Sequence, residues 1–210
     1  MGVSIHYRGQ LRSLDQIAPL TAEVEDVCKS QEWEYRLVDM DIPIGDVEAQ
    51  VIHFLGGPNA TSIRMQGLWF KVHEESEAFY LCFDDQGRML SLINLLVGDS
   101  YPTLDDIFWI HTKTQYAGPE AHAVLIRFIQ YLAKKYFADL EVLDETNYWA
   151  TGDVAQLHKV FYRTQAAIDM FSDALENIEI AGNPSIEQLA DQIESLFRRI
   201  INSKEDSDEE

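Results

Sequence analysis

One stretch of the chain concentrates the side chains that could do chemistry. It reads WIHTKTQYAGPEAH, residues 109–122, and it carries two imidazoles, an amine, an amide, a phenol and a carboxylate. The candidate catalytic residues in it are His111, Glu120 and His122. Histidine is the most common general base near neutral pH and a frequent metal ligand. The stretch is therefore a candidate site for hydrolytic chemistry.

The same stretch offers groups that could bind an anion. Lys113 and Gln115 are expected on the same face of a strand as His111, because side chains alternate along a strand. Gly118 then turns the chain into a helix, and the free N–H groups at a helix N-terminus attract anions. The alternative is purely structural: Glu120 complements the helix dipole and pairs with Lys113, while the second histidine closes the edge of the core.

Two further groups of residues are candidates for ligand binding. His6 and Arg8 lie on the polar side of the first predicted strand, and they line a groove if that strand is central or face solvent if it is an edge. The segment DETNYWATGD, residues 144–153, places Tyr148 and Trp149 beside carboxylates. Such an aromatic pair can line a ligand pocket or anchor a protein interface. The alternative is a capped connection with Trp149 in the core.

No residue pattern indicates a cofactor or a metal. The sequence contains no HExxH, no phosphate-binding GxxxxGK[ST], no GxSxG and no CxxC. Its six histidines are too scattered to predict a metal site. Glu120 and His122 are two positions apart and do not share a helix face. Cys28 and Cys82 are predicted to be buried free thiols in a reducing compartment.

The elements that must position these residues alternate between strands and helices. Alternating, β-branched and aromatic runs predict strands over residues 3–9, 34–40, 62–73, 79–83, 88–97, 107–114 and 140–145, of which the middle three form an antiparallel meander. Helical spacing predicts helices from Pro19 to about Ser30, over 119–137, from Asp153 onward and over 186–200.

These elements predict an α+β fold. We expect a mixed, mainly antiparallel sheet with helices on one face, an elaboration of the ferredoxin-like layout, followed by a C-terminal helical hairpin. The predicted domains are a sheet domain over residues 1–150, the hairpin over 151–202, and a disordered acidic tail over 203–210. The hairpin packs on the same domain or on a second subunit, and the latter would give a homodimer.

The charge balance disfavours some partners. There are 36 acidic and 16 basic residues, which gives a formal net charge of −20. A surface this negative repels nucleic-acid phosphates and anionic lipids. The first residues do not read as a signal peptide, and no stretch has 18 consecutive apolar residues. We therefore expect a cytoplasmic protein that binds neither nucleic acid nor membranes.

Three segments, GVSIHYRG, TKTQYAGPEAH and ETNYWATGD, resemble a family of uncharacterised bacterial proteins. The resemblance covers most of residues 1–160 and fades in the C-terminal helices. Because no activity is established for that family, the resemblance implies no catalytic residues and supports only a bacterial cytosolic origin.

Three functional hypotheses follow from the sequence. The leading one is a cytosolic protein that acts by binding a protein partner or a small ligand. An alternative is a hydrolase with its site around residues 111–122, which requires the histidines and Glu120 to converge on one cleft. A second alternative is an acidic nucleic-acid mimic that binds a basic partner.

Overall fold

The computed structural model describes residues 2–43, 55, 61–91, 93–94 and 107–176, with side chains as far as residue 173. The chain divides into two compact units, one spanning Gly2–Leu157 and another that includes His158–Glu210. The second helix of the predicted hairpin and the acidic tail lie outside the described residues. Within the described part, no helix is both long and apolar enough to cross a membrane.

The fold is α+β, as predicted. The strands are β1 (Ser4–Leu11), β2 (Glu34–Pro43), β3 (Ser62–Lys71), β4 (Phe79–Phe83), β5 (Ile110–Lys113) and β6 (Phe137–Asp144). The helices are α1 (Ile17–Gln31), α2 (Gly118–Tyr136), α3 (Tyr148–Thr151) and α4 (Val154–Glu176), and a 3-10 turn at Leu14–Gln16 precedes α1.

The strands form two antiparallel sheets. Sheet A has the order β5-β1-β6 and sheet B the order β2-β3-β4. The segment after β4 connects them: the Met89 N–H donates to Gly9 O at 2.9 Å and the Leu90 N–H donates to Cys82 O at 3.0 Å. Of the predicted meander, β3 and β4 pair as expected, whereas the described part of the third run makes only isolated bridges.

Sheet A contains a split β-α-β unit. Both β5 and β6 pair antiparallel with β1, so they run parallel to each other with β1 between them, and α2 connects them. Such a unit is part of the ferredoxin-like layout predicted from the sequence, but the described strands form two sheets instead of the single mixed sheet that was expected. The first strand is thus central in its sheet, yet the Arg8 side chain on it is 41% exposed, so a central position does not enclose this residue.

Aromatic packing joins the helices to sheet B. The Phe128 ring of α2 meets the Phe70 ring of β3 edge-on, with centroids 5.7 Å apart. Trp33, just after α1, stacks on Phe70 at 5.8 Å and meets Phe128 at 5.9 Å. Lys135 of α2 forms a 2.8 Å ion pair with Glu23 of α1. The two helices are therefore neighbours, and they contact sheet B through the same group of rings.

Several predicted boundaries differ from the structure, and three of the differences have a clear physical reason. Strand β1 continues past Gly9, where a Cβ would lie 2.7 Å from Asp139 O, so glycine lets β6 approach closely instead of ending the strand. Helix α1 begins before Pro19, which is tolerated because the first N–H groups of a helix need no intrahelical acceptor. The predicted strand over 107–114 is shortened to β5, because Ile107 and Phe108 are helical.

Candidate functional site

A buried polar group joins the end of β5, helix α2 and the end of β6. Its centre is His122, whose side chain is 0% exposed. The ring Nδ1 lies 2.7 Å from Thr114 Oγ1, and the ring Nε2 lies 3.2 Å from Asp144 Oδ1. Because a carboxylate can only accept, Nε2 carries the proton and donates to Asp144. We call Thr114, His122, Asp144 and Thr146 the His122 cluster.

Asp144 accepts more hydrogen bonds than the one from His122. It receives the backbone N–H of Thr146 and of Trp149, each at 2.8 Å, and the Thr146 hydroxyl at 2.8 Å. Burial opposes ionisation, but the hydrogen bonds from His122, Trp149 and Thr146 outweigh it and lower the pKa of the Asp144 carboxyl to about 2. The buried side chain is therefore a fully hydrogen-bonded carboxylate.

Topology explains why these residues meet. Since β5 and β6 are parallel, both have their carboxyl ends at the same end of sheet A, and α2 begins there. Thr114 follows β5, His122 lies in the second turn of α2, and Asp144 ends β6. The split β-α-β unit thus brings together three polar side chains that are separated in sequence.

The order of groups in the His122 cluster resembles a hydroxyl–imidazole–carboxylate relay, but it is sealed from solvent. Thr114 and His122 are both 0% exposed. A nucleophile must reach its substrate, and the Thr114 hydroxyl lies within 3.4 Å of Val3 O and has no route outward in the described structure. The hydrogen bonds of the His122 cluster instead link the ends of β5 and β6 to helix α2.

The second histidine of the stretch faces the other way. On β5, Thr112 is buried and His111 is exposed. His111 pairs in register with His6 of β1, and the two rings lie 6.1 Å apart on the outer face of sheet A. Sheet A therefore separates His111 from His122, and Glu120 is exposed on α2. These three candidate catalytic residues do not converge on one cleft.

The basic candidates on the outer face already have partners. The Arg8 guanidinium pairs with Glu141 at 2.6 Å and lies 4.6 Å from the centre of the Trp109 ring. The Lys113 ammonium lies 5.5 Å from the centre of the Tyr116 ring. An anionic ligand would have to compete with these contacts.

Gln115 does not share the exposed face of His111, contrary to the prediction. It is 4% exposed, and its Oε1 accepts the Val3 N–H at 2.9 Å. The strand ends at Lys113, so the alternation that motivated the prediction stops before Gln115.

A pocket of about 390 Å³ opens beside β6 and α3. We call it the β6 pocket; it is lined by His6, Val142, Leu143, Asp144, Glu145, Asn147, Trp149 and Ala150. Most of its wall is apolar. Among the described residues, the His6 ring nitrogens, the Asn147 amide and the indole N–H of Trp149 have no hydrogen-bond partner.

The His122 cluster supports one wall of this pocket. Asp144 Oδ2 accepts the Trp149 backbone N–H, which fixes the start of α3 against the end of β6. Tyr148, the other half of the aromatic pair, is 3% exposed and accepts a 3.0 Å hydrogen bond from Arg127. Of the two predicted aromatic ligand contacts, Trp149 lines the pocket and Tyr148 lies in the core.

Sequence reasoning did not single out Glu145 and Asn147, which also line the pocket. A signal was available, since Glu145 ends the predicted strand at 140–145 and Asn147 lies between that strand and a helix, where side chains commonly line clefts. Within the described ranges, no group of three or more histidine, cysteine, aspartate or glutamate residues could hold a metal ion.

Comparison with known proteins adds no relative: no protein-family model, curated protein or solved structure matches this chain.

Proposed function

We propose that this protein acts by binding a small ligand in the β6 pocket. One observation carries the proposal: the pocket combines an apolar wall with polar side chains that have no partner among the described residues. Ligand pockets are generally mostly apolar, with a few polar groups that fix the orientation of the ligand. The imidazole of His6, the amide of Asn147 and the indole of Trp149 fit that description.

Hydrogen bonds within the protein already hold two residues of the pocket, Glu145 and Trp149, in place without a ligand. Asp144 holds the Trp149 backbone, and Ser4 N–H donates to Glu145 Oε2 at 2.7 Å. Side chains that are positioned in advance lose less conformational freedom on binding. Preorganisation of this kind suits a binding site.

The positions of the candidate catalytic residues give little support to a hydrolase. The hydrolase alternative needs His111, Glu120 and His122 at one cleft. His122 is sealed in the His122 cluster, and His111 lies on the outer face of sheet A. A bacterial cytosolic setting and a homodimer formed through the C-terminal helices remain predictions from the sequence.

A fragment screen by ligand-observed NMR tests the proposal. We expect small, largely apolar fragments to give saturation-transfer signals with the wild-type protein, and Trp149→Ala to abolish them. Trp109→Ala is the matched control, because Trp109 contacts Arg8 and does not line the pocket. If no fragment binds, or if fragments bind equally well to Trp149→Ala, the proposal is wrong.

A further inference from the structure

We propose that the β6 pocket selects an organic cation, in which a planar apolar group contacts Trp149 and a positively charged nitrogen group binds Glu145. This inference rests on the proposed function and gives the ligand its chemical class. It depends on the state of the Glu145 carboxylate, on the groups around it and on the position of the Trp149 ring.

The Glu145 carboxylate is held in place by a hydrogen bond to one of its two oxygens. Its Oε2 accepts the Ser4 N–H at 2.7 Å, while among the described residues its Oε1 has no hydrogen-bond donor and the carboxylate has no ion-pair partner. A carboxylate in this state is an acceptor for a charged N–H donor, and such charge-assisted hydrogen bonds are about twice as strong as neutral ones.

The cations on the outer face of sheet A are engaged elsewhere. Arg8 binds Glu141 and Trp109, and Lys113 lies over Tyr116. The second carboxylate at the pocket, Asp144, is ionised and receives only neutral backbone and hydroxyl donors besides His122. His6 is the only other titratable side chain that lines the pocket in the described residues. The pocket is therefore electronegative.

Trp149 supplies the second half of the recognition. The face of an indole ring carries the most negative quadrupole of the protein side chains and attracts cations within about 6 Å. Leu143 and Val142 extend the apolar wall beside it. A ligand with a flat apolar group next to its charge would contact both kinds of surface.

The charge of the whole chain favours the same class of ligand. A net charge of −20 raises the concentration of cations at the surface and lowers that of anions. This effect is shared by the entire surface, so it strengthens the attraction to the pocket without defining the site. Selectivity comes from Glu145 and Trp149.

Benzamidine and benzamide form a matched pair of probes for this inference. Both present a flat ring and a planar polar group of nearly the same shape, but only benzamidine is a cation. We expect benzamidine to perturb the indole N–H signal of Trp149 in NMR titrations and to bind about tenfold more tightly than benzamide, as expected for a hydrogen bond to a charged group. Benzoate, the anionic analogue, is expected to bind more weakly than both.

Glu145→Gln removes the charge and keeps an oxygen that can accept the Ser4 N–H. We expect this variant to bind benzamidine and benzamide equally. Asp139→Asn is the control: it removes the same charge from an exposed position on β6, and Asp139 does not line the pocket. It is expected to retain the preference for benzamidine.

The outcomes separate this inference from the proposed function. Equal binding of benzamidine and benzamide to the wild type overturns the inference, as does a preference that survives in Glu145→Gln. Failure of benzamidine to bind at about 10 mM, a weak limit for a fragment of this size, also overturns it. If neutral fragments still bind at Trp149, the proposed function stands; if none does, both are wrong.

Discussion

His122 Nε2 lies 3.2 Å from Asp144 Oδ1, and both side chains are at most 1% exposed. The pair joins the start of α2 to the end of β6, and through the Trp149 N–H it also positions α3. Removing one member of a buried, hydrogen-bonded pair leaves the other without its partner in a poorly solvated place. The stability of this edge of sheet A therefore depends on both residues.

Asp144→Asn should destabilise the protein in a pH-dependent way. The folded-state pKa is lowered from the ordinary 3.8 to about 2 because the hydrogen bonds from His122, Trp149 and Thr146 outweigh the effect of burial. This shift corresponds to about 2 kcal/mol of the free energy of unfolding at pH 7. The contribution is fully present above about pH 4 and is lost as pH falls through about 2. Urea denaturation of the wild type and the variant between pH 7 and pH 2 measures it, and a gap that does not narrow below pH 4 would contradict it.

The two histidines of residues 109–122 should differ sharply in their effect on stability. We expect His122→Ala to lower the free energy of unfolding by about 3 kcal/mol, because it removes the hydrogen bonds that the ring makes to Asp144 and Thr114 and leaves a cavity in a fully buried place. His111→Ala, on the exposed face of β5, should change it by no more than about 0.5 kcal/mol. Chemical denaturation at pH 7 compares them. Equal effects would mean that His122 does not hold this edge of the sheet together.

Gly67 should tolerate substitution much less well than Gly152. It has φ of +140°, and a Cβ there would lie 1.9 Å from Leu81 O on the neighbouring strand. Gly67→Ala is therefore expected to cost about 3 kcal/mol or more, or to prevent folding. Gly152→Ala is the control, since Gly152 also has positive φ, +63°, but a Cβ would meet nothing within 4 Å. It should cost about 1 kcal/mol, and thermal unfolding of the two variants would show the difference.

Cys28 and Cys82 should be unreactive in the folded protein. Both are buried free thiols, as predicted, and burial raises the pKa of Cys28 to about 11 and that of Cys82 to about 12. Because the thiolate is the reactive form, the aromatic disulfide reagent DTNB should label neither residue at pH 8 and both in denaturant. Rapid labelling of the native protein would show that the elements around them open readily.

The sequence predicts the helices and strands better than it predicts which strands pair with each other. Helix α2 was expected over residues 119–137 and spans Gly118–Tyr136, because its apolar stripe and Pro119 are local signals. Strands β3 and β4 were likewise recognised from their own residues. The placement of β1 between β5 and β6 was not, since it depends on pairings that no local pattern encodes.

In the candidate site, too, local features can be predicted from the sequence and long-range contacts cannot. Strand alternation correctly places His111 on the face opposite Thr112. The contact between His122 and Asp144 requires knowing that β5 and β6 are parallel and end at the same edge. Glu145 and Asn147 were overlooked because the pocket is formed by several segments, and no local pattern shows that β1, β6 and α3 meet around these two residues.

The central place of β1 has a consequence for synthesis on the ribosome. Strands β2, β3 and β4 follow one another within residues 34–83, so sheet B can form while the chain is still growing. Strand β1 can be completed only later in synthesis. Val3 bonds to Gln115, which is 112 positions later, and Ser4 bonds to Glu145, which is 141 positions later. At typical elongation rates this leaves Val3 and Ser4 without these partners for on the order of ten seconds. Among the described strands, β1 is thus made first but is completed only after β5 and β6, and its unpaired backbone is open to aggregation during that interval.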